Sequence, residues 1–166
     1  TRLDEVIDSK VADLGLDPKL KKLRARGISN ALCRVPRIEP SWTYLPESKL
    51  ESNRIINTGI FSPSNVAANE HSVVLEFPFG TDRTQMEKDL NVVFPGATII
   101  ETNHVKKAYV IQDATTRADI SAQKLKFEKH GLHLLGRFAE WEYYNMDMCI
   151  KSALDLSKKL LAQSSA

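Results

Sequence analysis

The order of elements along this chain predicts an α+β fold, a largely antiparallel mixed sheet flanked by helices. Three observations lead there. Apolar residues recur at helical spacing near both ends, the middle switches to period two, and the strand-like stretches there run consecutively.

In chain order, Leu3, Val6, Ile7, Val11 and Leu14 mark a first helix over 1–14, and Gly15 is its stop signal. A second helix begins at Asp17-Pro18, where Asp caps and Pro fits the first turn, and ends near Gly27. The basic run Lys19–Arg26 then reads as its polar face. Strands follow at 28–35, 41–45, 54–61 and 71–79, the last placing Val73, Leu75, Phe77 and Phe79 on one side. A helix over 82–94 starts with Asp82 as cap and carries Met86, Leu90 and Val93. Strands at 97–102 and 107–112, a helix at 118–129, a short apolar strand at 132–136 and a helix over 146–162 complete the order. The expected organisation is one domain over 1–166, helical in 1–27, sheet in 28–112, and helix–strand–helix in 113–162.

Composition narrows the classes. At 166 residues, 42% hydrophobic and 27% charged, the chain is long enough for a real core. Lys and Arg total 23 against 21 Asp and Glu, too balanced to imply a nucleic acid or a membrane as partner. Cys33 and Cys149 stand far apart and outside any CxxC, which predicts reduced thiols and a cytoplasmic protein. No apolar run approaches the ~20 residues of a membrane span. The chain begins at Thr1 rather than Met, which fits an excised or processed piece.

Self-contained catalytic motifs are missing. His71, His104, His130 and His133 include one HxxH with no third ligand, so they read as structural or surface residues, and no metal is expected. Ser62 and Ser64 sit in a Pro-Asn loop and read as turn residues. The seven glycines form neither GxGxxG nor GxxxxGK[ST].

One stretch, "GRFAEWEYYNMDMCI" (136–150), forms a mechanical unit. Gly136 permits close approach to the backbone, Trp141, Tyr143 and Tyr144 offer flat surfaces, and Asn145 stands where an N-cap belongs. Free N–H groups around Met146 and Asp147 would suit an anionic or electron-rich group. The same residues also read as a capped helix with aromatics in the core.

"LLGRFAEWEYYNMDMCIKSAL" resembles the C-terminal flavin-binding segment of UDP-galactopyranose mutase and of related FAD-dependent enzymes of the amine-oxidase and protoporphyrinogen-oxidase type. Fainter similarity extends upstream through "KKAYVIQD", "NRIINTGIFSPSNV" and "WTYLPES". The resemblance implies FAD as cofactor, with Gly136 and Arg137 near its ribityl and pyrophosphate and Asn145, Met146 and Asp147 at the pyrimidine edge of the flavin. It implies that Arg54, Tyr109 and Tyr143 contact the diphosphate of a nucleotide sugar or another anionic substrate. Glu142 departs from the family, which commonly has an arginine there, and a carboxylate at that point would repel a diphosphate. Tyr144 departs too, replacing a smaller or aliphatic residue.

The family holds FAD on an N-terminal Rossmann GxGxxG that these residues lack. The expectation is therefore the substrate-side, C-terminal part of a longer oxidoreductase or mutase whose Rossmann domain is the missing partner. Alone, it would carry no catalytic residue, retain FAD weakly or not at all, and be inactive. A ligand-lining face stripped of its partner leaves a homodimer open. Two other readings stay open: a non-catalytic protein-interaction domain, and a degenerate relative without cofactor.

Overall fold

The structure, a computed structural model, describes residues 2–3, 17, 20, 23–46, 49–67 and 70–164. The chain divides into two compact units, one of residues 26–108 and one of residues 1–25 with 109–166.

The first unit is built on the sheet. Its strands are β1 (Arg24–Pro36), β2 (Trp42–Tyr44), β3 (Arg54–Asn57), β4 (Val66–Ala67), β5 (Glu70–Pro78) and β6 (Thr98–Ile111), in the order β2-β3-β5-β1-β6 with β4 also on β5. The β1–β5, β3–β5, β2–β3 and β4–β5 pairings are antiparallel. Alternation decides which face is core. Ala31 stands opposite Leu75 and Cys33 opposite Val73, with Ile55 on the far side of Leu75, and all five are buried. Helix α1 (Arg83–Val93) presses Met86 and Leu90 into this layer together with Phe77. Asp82 caps it as the sequence predicts, accepting the Gln85 N–H at 2.9 Å. Asp89 of α1, buried, also accepts the Ser52 N–H at 2.6 Å and so ties the loop before β3 to the helix.

Several boundaries differ from the sequence reading, each for a local reason. The helical span expected over 1–27 does not include residues 24–27, which belong to β1. Gly27 is a close-approach position, not a helix stop. A Cβ there would stand 2.7 Å from the Val105 and Lys106 carbonyl oxygens. All but residues 2–3 of the helix expected over 1–14, and much of the next, lie outside the described residues. The 54–61 strand stops at Asn57, where residues 58–60 turn into a 3-10 helix and Thr58 bonds the Ser72 carbonyl at 2.8 Å. Phe79 falls past the end of β5 and is exposed. The two strands expected at 97–102 and 107–112 are one, since β6 ends the sheet and its polar centre can face water.

The second unit has its own core of Leu3, Leu20, Val110, Ile120, Phe127, Leu134 and Trp141. Helix α2 (Thr116–Glu128) supplies Ile120 and Phe127. Its start is fixed by Asp113, whose Oδ1 accepts the Thr115 and Thr116 N–H groups at 3.1 and 2.9 Å, while Thr116 Oγ1 accepts the Asp113 N–H. The strand expected at 132–136 is absent: Leu132–Leu135 is irregular and unpaired in the sheet, and a turn follows from Gly136, at φ 90°. Leu134 is nevertheless buried, so the apolar run serves packing without a ladder. The chain then enters helix α3 (Met146–Ser164).

Helix α3 is oriented against the usual rule. Hydrogen bonds tie it to its own unit, the Ser152 hydroxyl donating to Glu140 at 2.6 Å and the Lys159 ammonium to Glu128 at 2.7 Å, and its Ala153 and Leu156 are half-buried. Ile150, Leu154 and Leu161 share another side and are 61, 57 and 66% exposed.

Candidate functional site

The turn between Gly136 and Asn145 gathers most of the residues singled out in the sequence. Trp141 anchors it. Its ring is fully buried against Phe138, its indole N–H reaches the Ile111 carbonyl at 3.4 Å, and its backbone sits at φ 53°, left-handed for a bulky residue. Such strain persists only where surrounding contacts hold it, here including the Gln112 side-chain N–H to the Trp141 carbonyl at 2.8 Å.

With Trp141 turned inward, Tyr143 turns outward. Its ring stacks on Tyr109 of β6, with centroids 5.6 Å apart and planes inclined by 15°. The Arg137 guanidinium lies over both, 4.7 Å from the Tyr143 centroid and 5.2 Å from that of Tyr109. One residue expected at the cofactor and two expected at the substrate thus form a single cluster. Among the described residues Arg137 makes no ion pair, and its Nε is buried without a hydrogen-bond partner.

The neighbouring charges are paired. Glu142 takes the fork of Arg117, Nε to Oε1 at 2.9 Å and Nη2 to Oε2 at 3.1 Å. This contact holds the Arg117 pKa above its ordinary value. Glu140 is buried and takes Lys124 Nζ and Ser152 Oγ, each at 2.6 Å, and the Gly136 N–H at 3.0 Å. Burial alone would raise its pKa. These three donors more than offset that and hold it below the usual carboxylate range. Sequence reasoning did not find Arg117 or Lys124, since a helix seven residues or more from its partner turn leaves no local pattern.

At the end of the turn, the Asn145 carbonyl accepts the Cys149 N–H at 3.1 Å, so Asn145 is the cap position of α3, as expected. Asn145, Met146 and Asp147 are exposed, Met146 by 84%. Open space lies where a Cβ on Gly136 would stand.

Arg54 belongs to the other unit and sits in a different environment. It pairs with Glu76, directly opposite it in β5, and its guanidinium lies 4.4 Å above the Trp42 ring. Its charge is already matched. Elsewhere, Ser29 Oγ meets His104 Nδ1 at 2.7 Å and accepts the Gly80 N–H, but Ser29 is fully buried, so this is a tie between strand and turn. Among the described residues no group of three or more His, Cys, Asp or Glu side chains is placed to hold a metal, and no helix is long and apolar enough to cross a membrane.

Comparison with known proteins gives fold-level likeness. No family model and no curated protein matches the sequence. A crystal structure of reduced UDP-galactopyranose mutase superposes with a TM-score of 0.68 at 14% identity, over 86% of this chain and 35% of that one. A protein described as a protoporphyrinogen oxidase from Exiguobacterium sp. 255-15 gives 0.70 at 9% identity, over 98% of this chain and 40% of that one. The PF1083 protein from Pyrococcus furiosus gives 0.53 at 11% identity, over 84% and 41%. The chain has the fold of one portion of such proteins and spans well under half the length of each.

Proposed function

We propose that this chain is the substrate-side, C-terminal part of an FAD-dependent oxidoreductase or mutase acting on a nucleotide sugar or a similar anionic substrate. One observation carries the reading. Arg137 is a guanidinium unmatched by any carboxylate among the described residues, laid over Tyr109 and Tyr143, while Glu140 and Glu142 of the same turn are each paired with a cation of α2. Glu142 therefore does not bring the repulsion its sequence position suggested. An arginine presented this way suits a diphosphate, which it can engage through two parallel hydrogen bonds.

The open start of α3 fits a flavin edge. Gly136 lets a planar group approach the backbone, and the first-turn N–H groups near Asn145, Met146 and Asp147 favour negative charge. These residues would hold the FAD, which would supply the redox chemistry when bound. The chain's own part is to bind and orient: Arg137 meets the anion, and Tyr109 and Tyr143 give it flat walls. Arg54, already paired, is the weaker candidate for anion contact. The partner is a dinucleotide-binding Rossmann domain, without which flavin retention is weak and activity absent.

The test is the visible spectrum of the protein purified from its source, before and after dithionite. Flavin bands that bleach support the reading, and a colourless protein that cannot be reconstituted with FAD rejects it. Arg137→Ala is expected to weaken UDP binding about tenfold or more, the loss of roughly 1.5–3 kcal/mol for a charged hydrogen bond.

A second reading is a non-catalytic interaction domain, and the exposed stripe of α3 favours it. It predicts a colourless protein whose partner binding fails when Ile150 and Leu154 become polar.

A further inference from the structure

Helix α2 carries two cations seven positions apart, Arg117 and Lys124, on one face two turns long. Each grips one carboxylate of the turn, Glu142 and Glu140, and Trp141 lies buried between those two. The turn is thereby held on both sides of its strained residue. The two grips differ in kind. Lys124 is a point contact, whereas Arg117 fixes the orientation of the Glu142 carboxylate with two bonds and sends a third to Gln112 Oε1 at 3.1 Å. Gln112 in turn donates to the Trp141 carbonyl.

Glu142 is also joined directly to the cluster. Its backbone N–H donates to the Arg137 carbonyl at 3.0 Å, and it is the residue before Tyr143 in the chain. Whatever fixes Glu142 therefore fixes the path of the backbone that aims both Arg137 and Tyr143. We propose that Arg117 is a positioning residue for the anion site, acting through Glu142 to hold Tyr143 on Tyr109 beneath the Arg137 guanidinium, and neutralising a carboxylate that would otherwise oppose the ligand's charge. This rests on the reading of the Arg137 cluster as an anion site.

A merely stabilising ion pair would behave differently. Arg117 is 68% exposed, and pairs so exposed contribute little to stability. Its removal should leave the fold in place and disturb the cluster.

The experiment is side-chain NMR of the 166-residue chain. Stacked over two rings, the Arg137 Hδ and Hε resonances are displaced upfield by ring currents. In Arg117→Gln that displacement should fall toward the value for a free arginine, while the amide spectrum of the sheet unit stays unchanged. Arg117→Lys should restore part of it, and the charge-reversed pair Arg117→Glu with Glu142→Arg should restore most. An undisturbed Arg137 in Arg117→Gln, or a loss that the reversed pair does not recover, overturns the proposal. Adding inorganic pyrophosphate to the unsubstituted chain separates the two ideas. If Arg137 resonances do not respond, the anion reading fails, while the ring-current result still decides the role of Arg117.

Discussion

Arg54 and Arg137 were expected to serve anionic ligands from the same kind of sequence cue, and their surroundings separate them. Arg54 and Glu76 are both nearly buried, so removing Arg54 strips a buried carboxylate of its paired cation inside the sheet unit. Arg54→Ala should cost about 3–5 kcal/mol in urea denaturation. This lost stability should appear before any change in ligand affinity. Cys33 shows a second effect of burial at this scale. Desolvation pushes its thiol up to about 12, with Arg83 only partly opposing, so almost no thiolate exists at neutral pH. Alkylation at pH 8 should modify Cys149 in the folded protein and reach Cys33 only on unfolding. The identity of a residue was legible in the sequence, but its charge partner was not. Glu142 looked like an obstacle until Arg117 was seen to hold it.

Among the elements, caps and periodicity were the legible part. Asp82 was recognisable as a cap because it precedes an apolar stripe at helical spacing, and Asp82→Ala should lower stability by about 1 kcal/mol. The start of α2 depends on pH. Hydrogen bonds from the Thr116 hydroxyl, then from the Thr116 and Thr115 N–H groups, lower the Asp113 pKa from 3.8 to about 2. A depressed carboxylate stabilises fully above its unfolded value and loses that contribution as the pH falls through the folded one. Amide protection at Thr115 and Thr116 should hold down to about pH 4 and disappear toward pH 2. The elements that were misread share a cause. The 132–136 run is apolar because Leu134 packs into a core, and residues 24–27 are strand because Gly27 lets β6 come close. Neither reason is local.

For the molecule as a whole, the α+β class and the consecutive strands were visible in the sequence, whereas the division into two units was not. Each has a separate core, and no break in composition marks residue 26 or 108. The last helix was legible, but not the outward-facing stripe of Ile150, Leu154 and Leu161 on it. If it is the surface by which the chain meets a second copy, sedimentation should show a concentration-dependent dimer that Ile150→Ser with Leu154→Ser abolishes, leaving helical content unchanged. A monomer at all concentrations would remove that route. The unit that carries Arg137 is assembled from both ends of the chain, with the sheet unit inserted between them. Leu3 and Leu20 precede the sheet unit in the chain, whereas Phe127 and Trp141 follow it, so this core closes only after the whole sheet unit has been made. A ribosome stalled far enough past β6 for that strand to leave the exit tunnel, with Phe127 and Trp141 still inside, should therefore hold a chain whose sheet unit resists protease while the segment carrying Leu3 and Leu20 is still cut.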